Sequence, residues 1–212
     1  MKAVIFDLDG TLADTLSGIT HFVNRTTAAY GLSSLSQERV KSFVGNGAKV
    51  LLERSFAHLG EELPADALDY YNSLYDNHSD HDLREYKGIT PLLAALKEKG
   101  LKLAVLSNKP HTATVPVCRF LFGESIDFVL GQKEGLPRKP DITGVRLAWQ
   151  ALGVTAKDCL YVGDSEVDML TGKKAGMLTV GVNWGFREES ALWENGADHV
   201  INKPEELLCL LK

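Results

Sequence analysis

Asp7 and Asp9 stand two residues apart after the apolar run Lys2-Ala3-Val4-Ile5-Phe6, and Gly163-Asp164 follows a second such run, Cys159-Leu160-Tyr161-Val162. A third run, Leu101 to Leu106, ends in Ser107-Asn108, and Arg138-Lys139-Pro140 lies between the last two. Short apolar runs closed by polar residues predict buried strands. In an open parallel sheet all strands point their carboxyl ends at one edge, so the residues that follow them meet in one crevice. One site is therefore expected, built from carboxylates, a hydroxyl and a lysine.

Carboxylates gathered in this way repel one another. At about 4 Å and an effective dielectric of about 20, each pair costs roughly 4 kcal/mol, and either protons or a cation must relieve it. A hard divalent ion such as Mg2+ takes one or two carboxylates together with water and substrate phosphate, and it would screen an incoming phosphate from an attacking carboxylate. Asp7, first after its strand, is the candidate nucleophile, forming an aspartyl phosphate. Asp9 could protonate the leaving oxygen and later deprotonate water. Ser107, the Asn108 backbone amide and Lys139 would bind the phosphoryl oxygens. Asp168, one helical turn beyond Asp164, would orient metal-bound water or hold Lys139. Thr11 reads as a hydrogen-bonding partner of the nucleophile loop.

The elements that must position these residues follow from the changing periodicity. After the first strand, Asp14 is placed to cap a helix from about Thr15 to near Gly31, and Ser36 another from about Gln37. Amphipathic stretches follow at roughly 48–58 and 64–77. With no strand-like alternation before about residue 100, residues 14–86 read as an all-helical block inserted into the rest, with His78 to Lys87 as a polar return linker. From Thr90 the rhythm alternates: helix 91–99, strand 101–106, helix 111–122, strand 128–130, helix 141–152, strand 159–162, helix 166–175 and strand 177–182. A short strand at 199–201 and a final helix from Pro204 complete an α/β fold with a mostly parallel sheet. The expected division is a core of residues 1–13 and 87–212 and a helical unit of 14–86.

Four segments together carry a family resemblance: Asp7-Leu8-Asp9-Gly10-Thr11, Leu106-Ser107-Asn108-Lys109, Arg138-Lys139-Pro140 and Gly163-Asp164-Ser165-Glu166-Val167-Asp168. In order and spacing they resemble the four motifs of the haloacid dehalogenase-like superfamily. The resemblance implies a Rossmann-like core, Asp7 as nucleophile, Asp9 as acid/base, and a Mg2+ cofactor bound by Asp7, the Asp9 backbone carbonyl and Asp164. A carboxylate at position 9 favours the family's phosphatases and mutases over its ATPases and dehalogenases. The helical insertion is similar to the family's small cap, whose closure excludes water.

Within that insertion, Val44-Gly45-Asn46-Gly47-Ala48-Lys49 leads into a helix. Gly flexibility and free helix-start amides could cradle an anion, with Lys49 in the first turn; the plain alternative is a turn between two cap helices. Taken with Asn108-Lys109-Pro110, the segment resembles phosphoglycolate phosphatases, in which the cap helps recognise the substrate's carboxylate. The resemblance thus implies hydrolysis of 2-phosphoglycolate or a similarly small monoester, with Gly45, Asn46 and Lys49 on the substrate. A phosphosugar mutase using the same core, with Lys49, Arg54 and Arg39 as cap candidates, is the first rival. A non-catalytic phosphometabolite-binding module is the second.

Composition narrows the remaining classes. A chain of 212 residues, 44% hydrophobic with net charge −5, can bury a core, and its scattered Lys and Arg argue against a nucleic-acid track. No apolar stretch reaches the length of a membrane span, and no signal peptide fits before the first strand, so a cytoplasmic enzyme is expected, monomeric or homodimeric. Cys118, Cys159 and Cys209 read as reduced core thiols. His78, Asp80, His81 and Asp82 read as a solvated linker rather than a transition-metal site. Trp184, Phe186 and Trp193 read as core or cap-contact residues. His111 lies at the expected site edge.

Overall fold

The structure, a computed structural model, describes residues 1–78 and 82–211. Among the described residues, eight strands and nine α-helices follow in the order β1 (Ala3–Phe6), β2 (Ala13–Asp14), α1 (Leu16–Ala29), α2 (Gln37–Phe43), α3 (Ala48–His58), α4 (Ala67–His78), β3 (Arg84–Glu85), α5 (Ile89–Glu98), β4 (Lys102–Pro110), α6 (His111–Phe122), β5 (Phe128–Gln132), α7 (Thr143–Leu152), β6 (Cys159–Gly163), α8 (Glu166–Lys174), β7 (Leu178–Val182), α9 (Glu189–Glu194) and β8 (His199–Ile201). The main sheet is parallel throughout, in the order β5-β4-β1-β6-β7-β8.

The central strand explains why its run is continuously apolar. All four residues of β1 are buried, as a strand covered on both faces requires. Val4 and Phe6 face one side, against Leu92, Leu93 and Leu96 of α5. Ala3 and Ile5 face the other, against Val145 and Ala148 of α7 and Tyr161 of β6. Phe6 pairs with Val105 of β4 and Val162 of β6, so this register brings the residues just beyond all three strands to one edge of the sheet.

A separate apolar cluster joins α1 to α4. Ile19, Phe22 and Val23 of α1 pack with Val40, Leu51, Leu52 and Tyr71, and this cluster also takes in Ala113 of α6 and Phe186 from beyond β7. Ser36 caps α2, its hydroxyl accepting from the Arg39 amide.

Several boundaries depart from the sequence-based expectation for identifiable reasons. Asp14 does not cap α1. Its carboxylate pairs with Arg84, with the Nε donor at 3.0 Å, and its backbone pairs antiparallel with Arg84 across the two-residue strands β2 and β3. Strands this short show no alternation, so they are invisible to a periodicity reading. Strand β4 runs on to Pro110 through an irregularity between Leu106 and Pro110, which leaves Ser107, Asn108 and Lys109 inside the strand rather than after it. The final helix is a 3-10 segment, Pro204–Leu210.

Cys118 and Cys159 are buried as expected, whereas Cys209 is exposed. Phe186 is buried, but Trp193 is a surface residue whose indole donates to Glu189 at 3.0 Å. Asp80 and His81 lie outside the described residues, and with them the polar cluster read at 78–82.

Candidate active site

Asp7 extends the sheet ladder by one bond, its amide donating to Val162 at 2.9 Å. That bond seats Asp7 at the edge of the sheet, where the residue is 8% exposed. Asp164 enters from β6, accepting from the Thr11 hydroxyl at 3.1 Å and the Phe186 amide at 2.7 Å. Thr11 is therefore a support of Asp164 in this geometry. Gly10, at φ +84°, lets the loop after β1 pass against Asp164, where any Cβ would fall onto the carboxylate.

Lys139 is the cation between these acids. Its Nζ lies 2.7 Å from Asp168 Oδ1 and 2.9 Å from Asp7 Oδ1. Asp168 is itself locked: its Oδ2 accepts from the Ser165 hydroxyl at 2.6 Å and the Ser165 amide at 3.1 Å, forming a capping box at the start of α8. Of the two roles expected for Asp168, holding Lys139 is the one this geometry displays. The Asp7 contact differs in kind. It is at ion-pair distance but out of line for a hydrogen bond, and Asp7 Oδ1 has no hydrogen-bond partner among the described residues.

The charge balance is unequal. Burial raises the Asp7 carboxyl well above its ordinary range, and Asp168 reinforces this while Lys139 opposes it. Burial and then the Asp168 charge push Asp164 up to about 7. Burial works against charge on Lys139, but Asp168 and Asp7 outweigh it and hold the ammonium well above its usual value. One buried lysine does not neutralise three buried carboxylates. Asp7, Asp164 and Asp168 each offer an oxygen within 4.8 Å of the others. A hard divalent cation fits this oxygen-only set.

Asp9 stands apart from that group. Its Oδ1 accepts from the Thr15 hydroxyl at 2.6 Å and from Lys109 Nζ at 3.1 Å. Thr15, the residue before α1, gives its hydroxyl to Asp9 instead of capping the helix.

The helical unit closes over these groups. Asn108 Nδ2 donates to the Gly45 carbonyl at 3.0 Å, Arg138 to the Asn46 carbonyl at 2.8 Å, and Arg187 to the Val44 carbonyl at 2.6 Å. Arg187 is braced by Glu166 at 2.9 Å. The cavity between the helical unit and the core remains partly open to solvent. Its floor holds Asp7, Asp9, Ser107, Lys109, Lys139 and Asp164, and its roof Ile19, Val44, Leu51, Tyr71 and Phe186 with Gly45 and Gly47.

Not every residue singled out in the sequence arrives here. Lys49 does not line this cavity: its side chain is 56% exposed and lies 3.7 Å from Glu53. The first turn of α3 turns that side chain outward, toward a neighbouring depression shared with Lys133 and Arg138. The Asn46 carbonyl is taken by Arg138. His111 instead accepts from the Gly131 amide through Nδ1. Conversely, Lys109 and Arg187 line the cavity without having been given a role. Lys109 was visible within the second motif, whereas nothing local marks Arg187.

A parallel sheet whose strand ends gather carboxylates around a buried lysine, closed by a helical insertion, defines a phosphoryl-transfer hydrolase. The chain belongs to the haloacid dehalogenase-like hydrolases, whose family model matches residues 4–182. It is 31% identical to phosphoglycolate phosphatase 1 of Pseudomonas aeruginosa, over 98% of this chain and 78% of that one. It is 32% identical to the N-acetylmuramic acid 6-phosphate phosphatase of the same organism, over 100% of this chain and 95% of the relative. Among solved structures, a predicted phosphoglycolate phosphatase from Haemophilus somnus superposes with TM-score 0.91 at 26% identity, covering 100% of this chain and 98% of the other. The chain is thus a phosphatase of this family, phosphoglycolate phosphatase-like. Among the described residues no helix is long and apolar enough to cross a membrane.

Proposed function

We propose that the chain is a Mg2+-dependent phosphomonoesterase working through an aspartyl phosphate on Asp7, with 2-phosphoglycolate or a similarly small ester as substrate. Residues 1–13 and 87–212 form the catalytic core and residues 14–86 the cap. The observation that carries this reading is Asp7 itself: buried, on the cavity floor, its Oδ1 beside the Lys139 ammonium and without a hydrogen bond among the described residues.

Asp7 attacks phosphorus and the ester P–O bond breaks. The leaving oxygen takes a proton from Asp9, whose Oδ1 already serves Thr15 and Lys109, so Oδ2 carries that proton. Asp9 then accepts a proton from water, whose oxygen attacks phosphorus and releases phosphate and Asp7. Ser107, the Asn108 amide and Lys139 receive the developing charge on the phosphoryl oxygens. The Asp7 and Asp164 carboxylates and the Asp9 carbonyl would hold Mg2+, which would supply the charge neutralisation that an anionic phosphate needs to approach an anionic nucleophile. The apolar side chains Ile19, Val44, Leu51 and Tyr71 line the same cavity as Asp7 and Asp9, which supports a small leaving group.

The test is phosphate release from 2-phosphoglycolate, ethyl phosphate, pyrophosphate and glucose 1-phosphate, with Mg2+ and with chelator. The expected result is chelator-sensitive turnover that prefers 2-phosphoglycolate and vanishes in Asp7→Asn. Turnover that survives both chelator and Asp7→Asn would overturn the mechanism, and glucose 6-phosphate formed from glucose 1-phosphate would identify a mutase.

A further inference from the structure

No motif marks the stretch Trp184 to Arg187, yet it touches the nucleophile loop, Asp164 and the cap together. The Trp184 indole donates to the Thr11 carbonyl at 3.0 Å. Gly185 packs so closely that an ideal Cβ there would lie 2.2 Å from Asp164 Cβ. The Phe186 amide donates to Asp164 Oδ2 at 2.7 Å, while its side chain joins the apolar cluster of the helical unit. Arg187 completes the series. Its Nε donates to Glu166 Oε2 at 2.9 Å, its Nη1 to the Lys41 carbonyl at 3.2 Å and its Nη2 to the Val44 carbonyl at 2.6 Å. Lys41 lies in the last turn of α2 and Val44 directly after that helix, where carbonyls lack intrahelical partners.

We propose that Arg187 is a positioning residue: aimed by Glu166, its guanidinium clamps the cap backbone at residues 41–44 over the cavity and so sets the size of leaving group the site accepts. The inference rests on the phosphomonoesterase reading above. Asn108 and Arg138 each donate to one cap carbonyl, whereas Arg187 reaches two. Its planar fork serves both carbonyls and a carboxylate at once, which the point charge of a lysine does not reproduce. Both ends of the clamp belong to the site. Glu166 opens α8 two residues after Asp164, and Val44 lines the cavity beside Arg187 itself. Without the clamp, Phe186 and Ala113 still pack with the cap cluster. The loop at 41–44 therefore loosens locally, admitting water and larger leaving groups.

The experiment compares Arg187→Met, Arg187→Lys and Glu166→Ala with wild type by two readouts. One is the ratio of kcat/KM for 4-nitrophenyl phosphate, a bulky ester, to that for 2-phosphoglycolate, a small one. The other is amide hydrogen exchange at residues 40–47 beside that of α7. In Arg187→Met the ratio is expected to rise about tenfold to a hundredfold, the range for lost charge-assisted hydrogen bonds. Exchange at 40–47 quickens by a similar factor, with α7 changed less. Arg187→Lys recovers part of both, and Glu166→Ala shifts both in the same direction by a smaller factor. A loss of global stability alone leaves the ratio unchanged and quickens α7 equally. An unchanged ratio in Arg187→Met, or unchanged exchange at 40–47, overturns the assignment. If Arg187→Met does not fold, Glu166→Ala decides by the same two readouts. A wild type that releases phosphate from neither ester refutes the phosphomonoesterase reading, and the exchange comparison then decides the clamp by itself.

Discussion

Asn108 and Lys139 exchange hydrogen bonds across the site: the Lys139 amide donates to Asn108 Oδ1 at 2.9 Å, and Asn108 Nδ2 donates to the Lys139 carbonyl at 3.2 Å. The same Nδ2 reaches the Gly45 carbonyl of the helical insertion at 3.0 Å. One buried side chain therefore ties the insertion to the backbone that carries the central lysine.

Replacing it should disturb both at once. Asn108→Ala removes a two-way bond and the tie to Gly45, and misplacing Lys139 by a fraction of an ångström weakens its aim at the phosphoryl oxygens. The expected loss is about tenfold to a hundredfold in kcat, with about 1–3 kcal/mol of stability. Steady-state kinetics and urea unfolding measure the two. An unchanged kcat would show that Lys139 needs no such support.

Lys139 and its carboxylates give a second prediction. Removing the ammonium leaves Asp168 and Asp7 buried without their cation, a change that typically costs about 3–5 kcal/mol. Lys139→Met should therefore be strongly destabilised as well as inactive. Adding Asp168→Asn to it should recover part of the stability, because one of the two stranded charges is then gone. The urea midpoints of the single and double variants test this coupling.

Asp164 sets the expected response to pH. Its folded-state value of about 7 lies above the ordinary 3.8, so between these values the folded protein binds the extra proton. The contribution of Asp164 to stability without metal therefore falls as pH rises from about 4 to 7. A divalent cation requires the ionised carboxylate and competes with that proton. Mg2+ should raise the melting temperature most above pH 7 and progressively less below it. Melting curves in chelator and in Mg2+ from pH 5 to 8 check both slopes. A Mg2+ effect independent of pH would exclude Asp164 as a ligand.

Much of the frame was legible in the chain itself. The run Ala3 to Phe6 read as a strand, and the polar residues closing three such runs had to meet once the strands were parallel. That is a consequence of local sterics and of period-two geometry, which sequence encodes residue by residue. The helix expected from about Thr15 to near Gly31 is α1, which buries Ile19, Phe22 and Val23 at helical spacing. What tertiary structure alone decided were the partners. Asp14 looked like a helix cap until Arg84 took its carboxylate. Asp9 showed no sign in the sequence of a hold by Thr15 and Lys109. Lys49 stood in the right turn but faced outward to Glu53, while Arg187, in a stretch without any motif, closes on the Val44 carbonyl. A hydrogen bond or ion pair depends on the direction of two side chains brought together from distant segments, and that direction is fixed only when the core has packed.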